Sequence, residues 1–182
     1  MSYSLKKEIF LNAPKEKVWE TYRDSLTQLV SAMPTVEKIK VLSREDVKEG
    51  VRLVNRWKIS GGLPGAIKKI IPSRLLSYDD EATWNQKEYT CYFIEKPIDG
   101  SGIYLCKGKN TFEDEGEKTL LTIAFELTIY PEKIPGVPTF VARKLVPKVE
   151  QIISKEVAKN LALTAKVVEN YILKNTTWQR KL

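Results

Sequence analysis

Strand segments fill the middle of this chain and one long amphipathic helix closes it, a combination that few folds accommodate. The clearest strand covers residues 118–130. There Leu121, Ile123, Phe125, Leu127 and Ile129 alternate with Thr122, Ala124, Glu126, Thr128 and Tyr130. A period of two marks a strand with one dry and one wet face. After a proline-rich connection at 131–138 the period becomes helical. Leu145, Val149, Ile152, Val157, Leu161, Val168 and Ile172 form one stripe, with Lys148, Lys155, Lys159 and Lys166 on other faces. Pro147, whose ring disfavours an interior position, is expected to start the helix or to kink an earlier turn, with the start near Pro147 preferred, and the helix to run to about residue 174. At 1.5 Å per residue it would be roughly 40 Å long.

The other elements follow from local signals. Residues 3–11 alternate loosely, with Leu5, Ile9 and Leu11 on one side. Asn12-Ala-Pro14 then suits a helix start, Asn as N-cap and Pro in the first turn. Residues 15–23 place Val18, Trp19 and Tyr22 at helical spacing, and a second short helix is expected at 26–33, ended by Pro34. Strands are expected at 36–44, 51–60, 78–87, 89–96 and 103–113, separated by Gly-rich or polar turns. Residues 61–77, GGLPGAIKKIIPSRLLS, break the pattern, with a short helix expected at 65–71. The class is α+β, in the order β-α-α-β6-α. A curved antiparallel sheet of about seven strands wraps the long helix in one domain, 1–174, with an exposed tail at 175–182. The helix must cover the concave face. Curvature leaves a gap between helix and sheet, where a small molecule can bind.

Composition narrows the chemistry. The 182 residues suffice for one sizeable core. No apolar run approaches the roughly 18 residues that span a bilayer, and the N-terminus does not read as a signal peptide, so a cytoplasmic protein is expected. The net charge of +7 is spread along the chain rather than gathered in a stripe, so no nucleic acid partner is expected. It fits a solvated surface or attraction to an anionic membrane. There is no histidine, which removes Ser-His-Asp and Cys-His catalysis and most catalytic zinc sites. Cys91 and Cys106 read as free buried thiols. No metal and no cofactor are assigned.

Alternation assigns Leu53, Asn55, Trp57, Trp84, Tyr104, Cys106, Asn110, Phe112, Ile123, Phe125 and Leu127 to the concave face. Of these, Asn55, Trp57, Trp84, Tyr104, Asn110, Phe112, Ile123 and Phe125 are the candidate ligand contacts. The amides and the hydroxyl would be polar groups inside an apolar shell, and such groups require partners. Leu63, Ile67, Lys68, Lys69, Ile70 and Arg74 are candidates for a gate touching an anionic membrane, apolar side chains inserted and basic ones on phosphates. The same segment can also simply cap the cavity. Among the carboxylates Asp80 is the candidate general acid or base, because it shares parity with Trp84 and an apolar pocket would raise its pKa.

The segment IFLNAPKEKVW at 9–19 resembles the opening of START-like (SRPBCC) domains, in which a strand runs into Asn/Asp-Ala-Pro and a helix bearing Val-Trp. The order of elements is similar throughout, and NLALTAKVVENYI resembles the closing helix. Within that superfamily the chain looks closest to the polyketide cyclase/dehydrase and lipid-transport group. Leu63-Pro64 and the basic-apolar stretch after it also resemble PRELI-like phospholipid-transfer domains. The resemblance implies a helix-grip fold with a hydrophobic cavity, and leaves three readings open. They are a module that binds or transfers a lipid or other hydrophobic small molecule, a cyclase or dehydratase, and a partner-binding domain whose cavity is filled. Asp99-Gly-Ser-Gly102 only partly matches the glycine-rich loop of the plant pathogenesis-related branch. The oxygenase branch needs histidines that this chain lacks.

Overall fold

A computed structural model of the chain describes residues 2–60 and 76–179, the last four by backbone alone. Seven antiparallel strands form one sheet: β1 Tyr3–Leu11, β2 Val36–Val47, β3 Gly50–Ile59, β4 Ser77–Asn85, β5 Thr90–Pro97, β6 Tyr104–Glu115 and β7 Lys118–Ile129. Their order is β1-β7-β6-β5-β4-β3-β2, so six strands meander and β1 joins the outer side of β7. The helices are α1 Lys15–Asp24, α2 Leu26–Leu29 and α3 Thr139–Gln179, with single 3-10 turns at Val30–Ala32 and Pro131–Lys133. This is the α+β arrangement that the order of elements predicts and the helix-grip fold that the resemblance implies. None of the described helices is long and apolar enough to cross a membrane.

The sheet follows its alternation closely. In β7 every second residue from Thr119 to Ile129 is buried. β2 is a free edge, carries two register shifts, and is charged and exposed along most of its length. Such bulges and charges keep an edge from pairing with another chain.

α3 begins at Thr139 rather than near Pro147. The Pro138 carbonyl accepts hydrogen bonds from the Val141 and Ala142 N–H groups, which starts the helix. Pro147 lies inside it, on the exposed face. The proline removes the bond to the Arg143 carbonyl, but Arg143 is exposed too, so water can replace it. Meanwhile Ala142, Val146 and Glu150, spaced four apart, are buried and carry the inner stripe through the proline. The far end also differs, since the helix continues past residue 174 to Gln179.

The start of α1 differs in detail as well. Pro14 is the N-cap, its carbonyl accepting from the Val18 N–H. Asn12 is occupied elsewhere: its backbone N–H and side-chain amide both donate to Glu169 Oε1 of α3, each at 2.7 Å. The Thr119 hydroxyl donates to the Ala13 carbonyl at 2.7 Å. The Asn-Ala-Pro turn is thus fastened to both helix and sheet. Near the other end of the helix, Glu150 accepts from the Ile129 N–H at 2.7 Å, where β7 stops. α3 packs chiefly on β1, β7, α1 and α2. The middle of the sheet, β3 to β6, is left facing a space.

Candidate functional site

That space is a cavity of about 340 Å³ between the concave face and α3. It lies within the range of roughly 300–1,000 Å³ typical of ligand pockets. Antiparallel register stacks the inward residues in rows across the sheet. Trp84, Cys91, Asn110 and Ile123 form one row, and Ala82, Phe93, Gly108 and Phe125 the next. Then come Asn55, Asp80, Glu95, Cys106 and Leu127. Trp57, paired with Tyr78, and Tyr104, paired with Ile129, follow.

One end is closed by aromatic rings. Trp19 meets Trp84 and Phe112 edge-on at 4.9 and 5.2 Å, and Tyr22 packs on Phe112 at 5.7 Å. The other end is framed by Ile59, Leu76, Ile103, Ile134, Val137 and the first turns of α3. Gly108 is required by the wall between. A Cβ there would lie 2.4 Å from the tip of the Phe93 ring and 2.4 Å from the Ala124 carbonyl oxygen. The missing side chain lets Phe93 lie across β6.

The row holding Asp80 and Glu95 is the chemically unusual one. Two carboxyl groups stand directly opposite each other on neighbouring strands, and both line the cavity. Burial pushes Asp80 up to about 7; the Trp57 indole opposes the rise and Glu81 adds to it. Burial, then the Asp80 charge, pushes Glu95 up to about 8, the Cys106 thiol opposing. Like charges this close cannot both ionise freely, so near neutrality the pair shares a proton. α3 brings a third carboxyl group, Glu156, together with Asn160 and Thr164, at successive four-residue steps along the face that looks into the cavity.

Several polar atoms around the cavity are buried without a partner among the described residues. They are the Tyr22 hydroxyl, the Trp84 indole N–H and Asn110 Oδ1. Buried polar groups are nearly always paired, so this collection in one apolar cavity is an unmet demand for hydrogen bonds.

Of the eight expected ligand contacts, Trp57, Trp84, Tyr104, Asn110, Ile123 and Phe125 line the cavity. Phe112 does not; it is part of the aromatic floor. Asn55 does not line it either, although it sits beside Asp80 in the same row and its Oδ1 is buried without a partner among the described residues. Asp80 faces the cavity. The six gate residues Leu63, Ile67, Lys68, Lys69, Ile70 and Arg74, and the short helix at 65–71, lie outside the described residues. The sequence marks Glu95 only as one of several carboxylates, with Glu88 and Glu126, that interrupt strands. Its signal is parity with Cys91 and Phe93, masked because Tyr92 and Ile94 on the wet face are equally apolar. The polar trio on α3 is hidden in the same way, since a four-residue polar spacing reads as a solvated face.

No family model matches the chain, and no curated protein does. Solved structures do. Zhui aromatase/cyclase from Streptomyces sp. R1128 superposes with a TM-score of 0.68 at 14% identity, over 97% of this chain and 96% of that one. Norcoclaurine synthase from Thalictrum flavum gives 0.61 at 15%, over 95% and 87%. A START superfamily protein from Mycobacterium smegmatis gives 0.59 at 13%, over 94% and 97%. Identities this low speak to architecture alone. The chain has the helix-grip fold of START-like proteins.

Proposed function

We propose that the protein binds a hydrophobic small molecule inside the cavity between sheet and α3. The observation that carries this reading is an apolar space of about 340 Å³ whose walls hold unpaired buried polar groups. Apolar burial supplies affinity at about 25 cal/mol per Å², and the polar groups fix orientation. A space of this size argues against a core filled by its own side chains. The structural neighbours support the reading, one being a START superfamily protein. Exchange with an anionic membrane through the segment at 61–75 belongs to the same proposal, because its flanks Ile59 and Leu76 line the cavity. A fluorescent lipid displacement assay followed by liposome transfer tests both parts. Displacement without transfer retains the binding site and removes the carrier role. Lys68→Glu with Lys69→Glu should abolish binding to anionic vesicles; unchanged binding sinks the gate.

A second reading, an enzyme of the cyclase or dehydratase kind, is favoured by the Asp80–Glu95 pair. One protonated and one ionised carboxyl group near neutral pH suit general acid and base roles. Two of the neighbours are named for catalysis, an aromatase/cyclase and a synthase. Turnover of a bound carbonyl substrate that survives both Asp80→Asn and Glu95→Gln would remove this reading.

A further inference from the structure

We infer that the cavity selects a hydrophobic amine, its ammonium group seated between Asp80 and Glu95 and its apolar body extending toward Trp84. The inference rests on the proposed binding reading and names the ligand class. Its first support is charge. The chain has 30 basic and 23 acidic residues, yet the described cavity lining carries Asp80, Glu95 and Glu156 and no Lys or Arg. The sign of the pocket opposes the sign of the surface.

Geometry gives the second support. Directly opposed residues on antiparallel strands have Cβ atoms about 5 Å apart, so both carboxyl groups can reach one cation. The adjacent row offers Trp57, stacked on Tyr78 at 6.2 Å, together with Tyr104. Aromatic faces beside a desolvated cation add to its binding.

An independent observation fixes the other end. Tyr22 and Trp84 are each more than nine-tenths buried, line the cavity, and hold a hydroxyl and an indole N–H without a partner among the described residues. Trp84 is four residues from Asp80 along β4, about 13 Å at strand rise. The ligand therefore spans that length and ends in a hydrogen-bond acceptor.

The other titratable groups that line the cavity are Tyr78, Cys91, Tyr104, Cys106 and, on the helices, Tyr22 and Glu156. Burial raises the two thiols and three phenols, so they stay neutral through the physiological range. Glu81 is held on the outer face by Lys96 at 3.1 Å. An ammonium ion stabilises the ionised pair, so its binding releases a proton and tightens as pH rises. A neutral ligand that accepts from the protonated acids does the opposite.

The test is calorimetric titration with methoxynaphthyl-ethylamine and the matching alcohol and acetate, whose ether oxygen supplies the far acceptor, from about pH 6 to about pH 9, below the pKa of an alkyl ammonium group. The amine should bind about tenfold or more tighter than the alcohol, with affinity rising with pH and a proton released. Asp80→Asn and Glu95→Gln should each abolish the preference while alcohol binding persists, which also shows that the variants are folded. Equal or tighter alcohol binding that weakens with pH overturns the amine assignment and keeps the binding site. Failure of all three probes overturns both.

Discussion

Asp80 and Glu95 occupy paired positions on adjacent strands and turn their carboxyl groups into one apolar cavity. Both are raised above their unfolded values, to about 7 and about 8. The folded state therefore binds more protons than the unfolded one between about pH 4 and about pH 8. Their contribution to stability is full at low pH and is lost as pH rises through that window, at about 1.4 kcal/mol per pH unit for each proton. Denaturant unfolding across pH should show this decline, flattened in the Asp80→Asn, Glu95→Gln double variant. An identical slope in wild type and variant contradicts the shared-proton description.

Removing one acid should be felt by the other. The Asp80 charge is the second cause of the rise at Glu95, after burial. In Asp80→Asn, Glu95 should titrate below its wild-type value yet still above an ordinary glutamate. Carbon-detected NMR of the Glu95 carboxyl group reads this directly, and no change means the two groups do not interact.

Glu169 predicts the opposite pH behaviour. Burial pushes its carboxyl up, but the Lys166 ammonium and the two Asn12 donors outweigh that and hold it below the usual range. Its contribution is present above about pH 4.5 and is lost as pH falls through its lowered value. Glu169→Ala removes the buried charged acceptor of the two Asn12 donors and of Lys166, and should cost about 1–3 kcal/mol at neutral pH. The loss should shrink at low pH in urea melts; a loss independent of pH argues that the residue acts by packing alone.

Gly108 should tolerate no side chain. In Gly108→Ala the Phe93 ring can swing into the cavity, but the Ala124 carbonyl belongs to the sheet and cannot move freely. We expect about 1–3 kcal/mol of destabilisation and a weaker affinity for any cavity ligand. Wild-type stability and affinity would show that the close approach is not real.

The sequence carried most of the architecture because alternation in β7 and the Asn-Ala-Pro turn are strong local signals. It carried less of the site. Asn12 is a good N-cap by type, yet Glu169, distant in sequence, claims both its donors. Pro147 is a helix breaker by type, yet it lies on the exposed face of α3, where water can replace the missing bond, while Ala142 and Val146 hold the inner stripe. Glu95 stands out from the sequence no more than Glu88 or Glu126 until register sets it beside Asp80, because Tyr92 and Ile94 leave the inward face of β5 ambiguous. Each of these is decided by the tertiary surroundings of the residue rather than by its type.

The most direct test of the account is native mass spectrometry of the purified protein beside Leu127→Trp, which adds bulk to the cavity wall in the row of the acid pair. The account predicts that the wild-type protein retains or takes up an apolar small molecule, lost on denaturation, and that Leu127→Trp folds but does not. A wild-type protein that stays empty against a broad panel of hydrophobic ligands, or a variant that retains them equally, would contradict it.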